Sequence, residues 1–306
     1  MRATIRSFQI DPGSSALRAR GSYVRAIDHR LFCRADIRLA ASVTRKGRRS
    51  FSQSREPRKE IPMALRRETL GGLTCRIISR LPEGVPPKLV VVLCHGFGAP
   101  GHDLVPIGDE LFDLCPALAD STEIIFPAAP LSLEHLGFEG GRAWWHIDMN
   151  ELIGAIEHGN LRILRDRRPE GIDEARDALL GVLNELRQRT GLPNSRFVLG
   201  GFSQGSMLAV EAAINETEPL GGLCLWSSTL VSEAQWRANA ARLKGIPIVQ
   251  SHGRQDAILP FAAAIALRDL LIESGANVNF IEFNGPHTIT LEGLEALAEM
   301  LQRLNP

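Results

Sequence analysis

From about residue 74 the chain alternates between two hydrophobic rhythms. Short continuous apolar runs are one of them. "LVVVLCHG" (89–96) is apolar up to His95 and Gly96, the pattern of a strand buried on both faces, and "EIIFP" (123–127) is another such run. The second rhythm places apolar residues every three or four positions. In "DEARDALLGVLNELRQRTG" (173–191), Leu179, Val182, Leu183 and Leu186 share one stripe. Asp173 reads as the cap of that helix, Gly191 as its end, and Pro193 follows. The alternation then continues: strand "RFVLGG", helix "SMLAVEAAI", strand "LGGLCLW", helix near "SEAQWRANAARL", strand "IPIVQSHG", helix "PFAAAIALRDLLIESG", strand "VNFIEF" and helix "LEGLEALAEMLQRL". No internal repeat interrupts it. Strands alternating with helices predict an α/β fold with a mostly parallel central sheet and helices on both faces. Sites in such sheets form at the carboxyl ends of the strands. The rhythm breaks once, over about 40 residues between "FPAAP" and the helix at 173, the length of a lid or binding segment.

Composition adds a boundary. Hydrophobic residues make up 44% and charged residues 23%, ordinary values for a soluble globular protein. No apolar run approaches the roughly 18 residues of a membrane span. The net charge of zero hides two unlike parts: residues 1–62 hold 15 basic and 5 acidic residues, and the remainder 20 basic and 30 acidic. The leader, with "TRKGRRSFSQSREPRKE", has too little apolar surface to fold and is expected to be disordered. Its five acidic residues argue against an organelle transit peptide, and it has no secretory apolar core. Its basic clusters would suit a nucleic-acid or membrane-surface arm. Alternatively it has no role, and Met63, opening "MALRRETLGGLTCRII", is the true start. Residues 63–306 then form one acidic domain, for which nucleic acid is not an expected partner. Cys33, Cys75, Cys94, Cys115 and Cys224 are odd in number and form no C-x-x-C, so neither a disulfide framework nor a zinc site is expected. Cys94 and Cys224 read as core residues in a reducing, cytoplasmic setting.

The chemistry-bearing stretch is "LGGFSQGS" (199–206), where Ser203 lies between a strand and a helix. "GFSQG" (201–205) fits G-x-S-x-G, the strained strand-to-helix turn that lifts a serine hydroxyl above a sheet. The motif alone is weak, and its strand–turn–helix setting is what gives it weight. A serine needs a base, and in this fold the order is Ser, then Asp or Glu, then His. Only His252 and His287 follow Ser203; no Asp lies between Ser203 and His252, and the glutamates there read as helix or loop-surface residues. Between Ser203 and His287 lie Asp256 and Asp269. Asp269 falls inside a helical run, whereas Asp256 and His287 each follow a strand end. Ser203 is therefore expected as nucleophile, His287 as general base then acid, and Asp256 as the carboxylate that orients the imidazole. Backbone N–H groups of Gln204 and Phe97, the latter in the loop "CHGFGAPG", are expected to form the oxyanion hole. Trp144 and Trp145 are candidate walls of an acyl pocket, though a core role for at least one fits as well.

Together these blocks resemble the phospholipase/carboxylesterase family of α/β-hydrolases, which includes acyl-protein thioesterases. The resemblance covers roughly residues 70–304. "CHGFGAPGHDL" resembles its H-G-x-G loop, "IFPAAP" its P-x-A-P segment, and "AWWHID" its W-[FY]-D block. "LGGFSQGS" resembles its elbow, "HGRQDAILP" its acid loop and "GPHTI" its histidine loop. The resemblance implies hydrolysis of small-molecule carboxylic esters or thioesters through a covalent acyl-enzyme, with no cofactor, and a triad of Ser203, Asp256 and His287. The chain departs from the family in having Ala99 where Asp is frequent, one extra residue in "AWWHID", and no Pro after "CLWSSTL".

Four rival readings are weaker. His95, His102 and Asp103 are close in sequence, but there is no H-E-x-x-H, so no metal is expected. "GFGAPG" has dinucleotide-loop spacing without the acidic strand end that should follow about 20 residues later. A non-catalytic scaffold of the same fold, or a peptidase on the same triad, remains open.

Overall fold

A computed structural model describes residues 64–305. The basic leader, with Cys33, lies outside the described residues. The chain opens with a hairpin, β1 (Ala64–Leu70) and β2 (Leu73–Ser79), joined by Gly71 and Gly72 at φ 54° and 83°. Two positive φ values in succession suit a tight hairpin turn and favour glycine. The hydrophobic pattern had not revealed β1. It is an edge strand, mostly exposed, and needs no continuous apolar face.

There follow β3 (Leu89–Cys94), α1 (Val105–Leu114), β4 (Thr122–Pro127), a short hairpin of β5 (Leu131–Ser132) and β6 (Arg142–Ala143), and two short helices, α2 (Met149–Glu157) and α3 (Leu161–Asp166). Then come α4 (Ile172–Thr190), β7 (Phe197–Phe202), α5 (Gln204–Ala213), β8 (Gly222–Trp226), α6 (Glu233–Asn239), β9 (Pro247–Gly253), α7 (Phe261–Glu273), β10 (Asn277–Phe283) and α8 (Leu291–Leu304). The main sheet runs β1-β2-β4-β3-β7-β8-β9-β10. β1 and β2 are antiparallel, β2 meets β4 antiparallel, and every other pairing is parallel. This is the expected α/β-hydrolase arrangement. None of the helices among the described residues is long and apolar enough to cross a membrane.

The apolar runs are explained by burial on two sides. In β3, Val90, Val92 and Cys94 pack with α4 and α5, while Leu89, Val91 and Leu93 pack with α1 and α8. A strand covered on both faces has no position left for a polar side chain. The start of α4 differs from expectation. Gly171 is the capping residue, and Asp173 sits within the first turn, where it pairs with Arg168 at 2.6 Å and with Arg176. The chain is already helical from Ile172, so Asp173 lies past the capping position. Gly191 ends the helix in the left-handed region, as expected.

The 40-residue break is ordered as the β5–β6 hairpin followed by α2 and α3. Arg165 ties it to Glu233 on α6 at 2.6 Å, and Arg168 reaches the buried Glu211 of α5 at 2.9 Å. Trp236 Nε1 also donates to Glu211, at 2.7 Å. A buried carboxylate thus anchors the end of this segment to the elbow helix.

Candidate active site

Ser203 occupies the turn from β7 into α5, with φ 53° and ψ −120°. A non-glycine residue in that region is strained and needs surroundings that enforce it. Its N–H donates to Trp226 O at 2.9 Å, and its C=O accepts from Ser206 and Met207. The glycines on either side are required by contact. A Cβ on Gly201 or on Gly205 would stand 2.2 Å from Cys94 O. The strand end and the first turn of α5 therefore both press on the end of β3. Cys94 lies close by, but burial pushes its thiol well above its ordinary range, so it is held as a neutral thiol rather than as a nucleophile.

Asp256 and His287 come together across 31 positions of sequence. His287 Nδ1 lies 2.6 Å from Asp256 Oδ2. The histidine loop is fastened to the acid loop by the N–H of Arg254 to Phe283 O at 2.8 Å and of Gln255 to Gly285 O at 3.0 Å. The imidazole of His287 rests on Phe202, the neighbour of Ser203, with ring centroids 4.7 Å apart. Asp256 Oδ1 accepts the N–H groups of Ile258 at 2.9 Å and Leu259 at 2.8 Å. Burial works against charge on Asp256, but hydrogen bonds from His252 and His287 outweigh it and hold the carboxyl well below the usual carboxylate range. Asp269, by contrast, lies in α7 and pairs with Arg268.

The loop after β3 abuts the elbow. A Cβ on Gly96 would lie 3.4 Å from Ser203 Cβ. Phe97 is buried against Leu133 and Ala143, and its ring meets Phe138 edge-on at 5.8 Å. Gly98 N–H donates to Arg142 O at 2.8 Å, and Trp144 Nε1 to His95 O at 2.9 Å. His95 itself braces this loop. Its Nδ1 bonds Gly96 O at 2.7 Å and its Nε2 accepts the Ala129 N–H at 3.0 Å. Burial lowers its pKa to about 4, which keeps the ring neutral, and its two hydrogen bonds fix the tautomer. Gln204 begins α5, where a helix leaves its N–H groups without intrahelical partners. Its side chain accepts from Trp144 N–H at 2.9 Å and donates to Trp145 O at 2.8 Å.

The sequence matches a known family. The sequence profile described as phospholipase/carboxylesterase matches residues 81–305. The chain belongs to the phospholipase/carboxylesterase family. Among curated relatives, acyl-protein thioesterase 1 of Neurospora crassa is 27% identical over 234 residues, covering 72% of this chain and 92% of the relative. Acyl-protein thioesterase 1 of Eremothecium gossypii is 29% identical over 191 residues, covering 60% and 72%. Among solved structures, esterase PE8 superposes with a TM-score of 0.59 at 26% identity, covering 72% of this chain and 94% of that one. A carboxylesterase from Mesorhizobium loti, at 18% identity and TM-score 0.58, shares the fold over 80% of this chain and 99% of its own. This phospholipase/carboxylesterase family member is an enzyme of the esterase/thioesterase type.

Beside the elbow of this family member lies a cavity of about 250 Å³. Trp145, Ile147, Leu152, Met207, Val231 and Leu259 supply its apolar wall, and Glu151 and Arg167, paired with each other, stand among its polar groups. Of the two tryptophans, Trp145 lines this cavity. Both tryptophans are packed in the main core, and Trp145 reaches the cavity wall from it. His95, His102 and Asp103 do not converge: both nitrogens of His95 are engaged within the fold, and His102 is exposed. Sequence reasoning had not assigned the side chain of Gln204, the ring of His95 or the ring of His252. A signal for the two histidines was present, since each opens a His-Gly pair at a strand end.

Proposed function

We propose that this protein hydrolyses carboxylic esters or thioesters through a covalent acyl-enzyme on Ser203. The observation that carries this reading is the 2.6 Å bond from His287 Nδ1 to Asp256 Oδ2, next to a strained serine on the same rim. With Nδ1–H given to the carboxylate, Nε2 on the other side of the ring is left to accept the Ser203 proton. The serine oxygen attacks the carbonyl carbon. The oxyanion that forms is held by the N–H groups of Gln204 and Phe97, each donor being worth about 3–4 kcal/mol. His287 then passes the proton to the departing alkoxide or thiolate, and the acyl group stays on Ser203. Water attacks this acyl-enzyme, gives a proton to His287, and releases the acid while Ser203 recovers its hydrogen.

The acyl chain would extend along Met207 and Leu259 into the cavity. The names of the relatives support the thioester half of the reading. A reducing, cytoplasmic setting is proposed with it, in keeping with four buried free cysteines among the described residues.

The test is labelling with a fluorophosphonate probe and mass mapping of the adduct, together with kinetics of Ser203→Ala. The adduct is expected on Ser203, and kcat for a p-nitrophenyl ester should fall by about 10⁶-fold. Labelling elsewhere, or comparable turnover by the variant, would remove the assignment.

A further inference from the structure

Next to the Asp256–His287 pair stands a second imidazole that the steps above leave unused. His252, on β9, is fully buried. Its Nε2 lies 2.7 Å from Leu259 O and 3.2 Å from Asp256 Oδ2. Both neighbours are acceptors, so Nε2 carries a proton and shares it between them. Nδ1 is buried and has no partner among the described residues. A proton there would be an unmet donor in the interior, so the ring holds the Nε2–H tautomer.

The Asp256 carboxylate is thereby gripped on every side. Oδ1 takes two backbone N–H groups, and Oδ2 takes His287 and His252. Leu259 enters this grip twice, through its N–H to Asp256 and its C=O to His252, while its side chain forms part of the cavity wall. The geometry points to His252 as a positioning residue for the proposed reaction. We infer that it fixes the carboxylate in the orientation His287 requires and locks the turn 256–259 that joins triad to cavity. This rests on the triad reading above.

The Nε2–H also draws charge from Oδ2. Without it, Asp256 would stabilise a protonated His287 more strongly. The acid limb of kcat/KM should then move to higher pH. Other charges near His252 leave this argument intact. Glu282 stands opposite it in the β9–β10 register but pairs with Arg254 at 2.6 Å near the surface. From α7 the neighbouring ring is the uncharged Phe261, at 6.2 Å.

The experiment compares His252→Leu, His252→Gln and His252→Asn with the parent protein and Ser203→Ala, by kcat, KM, pH profile and thermal unfolding. Glutamine sets an N–H near the place of Nε2, and asparagine is too short to reach it. Losing a hydrogen bond to a charged acceptor predicts a fall in kcat of about 10–100-fold for His252→Leu, with KM little changed. His252→Gln should recover most of that loss, and His252→Asn should not. Should His252→Leu fail to fold, the Gln and Asn pair decides the matter alone. Equal kcat in all folded variants, with an unmoved acid limb, would overturn the positioning role while Ser203→Ala stays inactive. Activity in Ser203→Ala would instead overturn the triad itself.

Discussion

Replacing Gly205 by alanine sets one methyl group against the backbone on which the elbow rests. An added Cβ would lie 2.2 Å from Cys94 O, 2.5 Å from Cys94 C and 2.5 Å from His95 O. Real Cβ contacts essentially never fall under 3.0 Å, so the strand end and the helix must separate by about 0.8 Å. Neither side yields cheaply. Cys94 O ends a central strand hydrogen-bonded on both edges, and His95 O is held by Trp144 Nε1. Overpacking of this kind costs roughly 1–3 kcal/mol. The effect on rate should exceed the effect on folding, because the displaced atoms carry Ser203, Gln204 N–H and the loop of Phe97. A misplacement near 1 Å costs on the order of 10²-fold. The expected outcome for Gly205→Ala is therefore a fall in kcat/KM of at least about 10²-fold, with unfolding free energy reduced by a few kcal/mol. The assays are steady-state hydrolysis of a p-nitrophenyl ester and urea unfolding. Gly154→Ala is the control, since its Cβ would meet nothing within 4 Å. It should keep its activity and gain about 0.5–1 kcal/mol from helix propensity. If Gly205→Ala kept kcat/KM within about threefold and lost no stability, the close-packing account of the elbow would be refuted.

Two further outcomes follow from groups around the rim. Asp103 has one carboxylate oxygen buried without a partner among the described residues, and burial raises its pKa from 3.8 to about 7 against the opposing pull of nearby backbone N–H groups. The folded state thus binds a proton that the unfolded state has lost, so stability should fall as pH rises from about 4 through about 7, by at most roughly 4 kcal/mol. Asp103→Asn should erase that component, which urea titrations at pH 5 and 8 would reveal, and an unchanged pH slope would contradict it. Leu152 lines the cavity from α2. Leu152→Trp should fill much of the cavity, moving the best acyl chain to shorter lengths while acetate esters turn over within about threefold of the parent, and a chain-length series checks it. An unshifted series would place the acyl chain elsewhere.

The extent to which the molecule was legible beforehand varies with the kind of residue. Strands buried on both faces announce themselves as unbroken apolar runs, so β3, β4, β7, β8 and the parallel architecture were readable. The exposed edge strand β1 was not, because its ladder is made by backbone groups that leave no mark on side-chain chemistry. The cap of α4 was misread for a related reason. Asp173 is well suited to capping, but packing starts the helix earlier, after Gly171, and leaves the carboxylate to pair with Arg168 and Arg176.

For the site, order along the chain and local context were sufficient to nominate Ser203, Asp256 and His287. A nucleophile elbow is a local structure, and strand ends are local features too. What the sequence alone could not supply was everything made by distant chain segments meeting. The bond between Asp256 and His287, the grip of His252 on that carboxylate, and the clasp of the Gln204 side chain on Trp144 and Trp145 are all of this type. So is the placing of the two tryptophans, both in the core but Trp145 alone also at the cavity wall. Neighbouring residues carry nearly identical local patterns, and only the packing of the sheet against its helices decides which way each side chain faces. Hydrophobic rhythm is a one-dimensional record of burial. Hydrogen-bond partners depend on three-dimensional proximity, and that exists only once the sheet and its helices have packed.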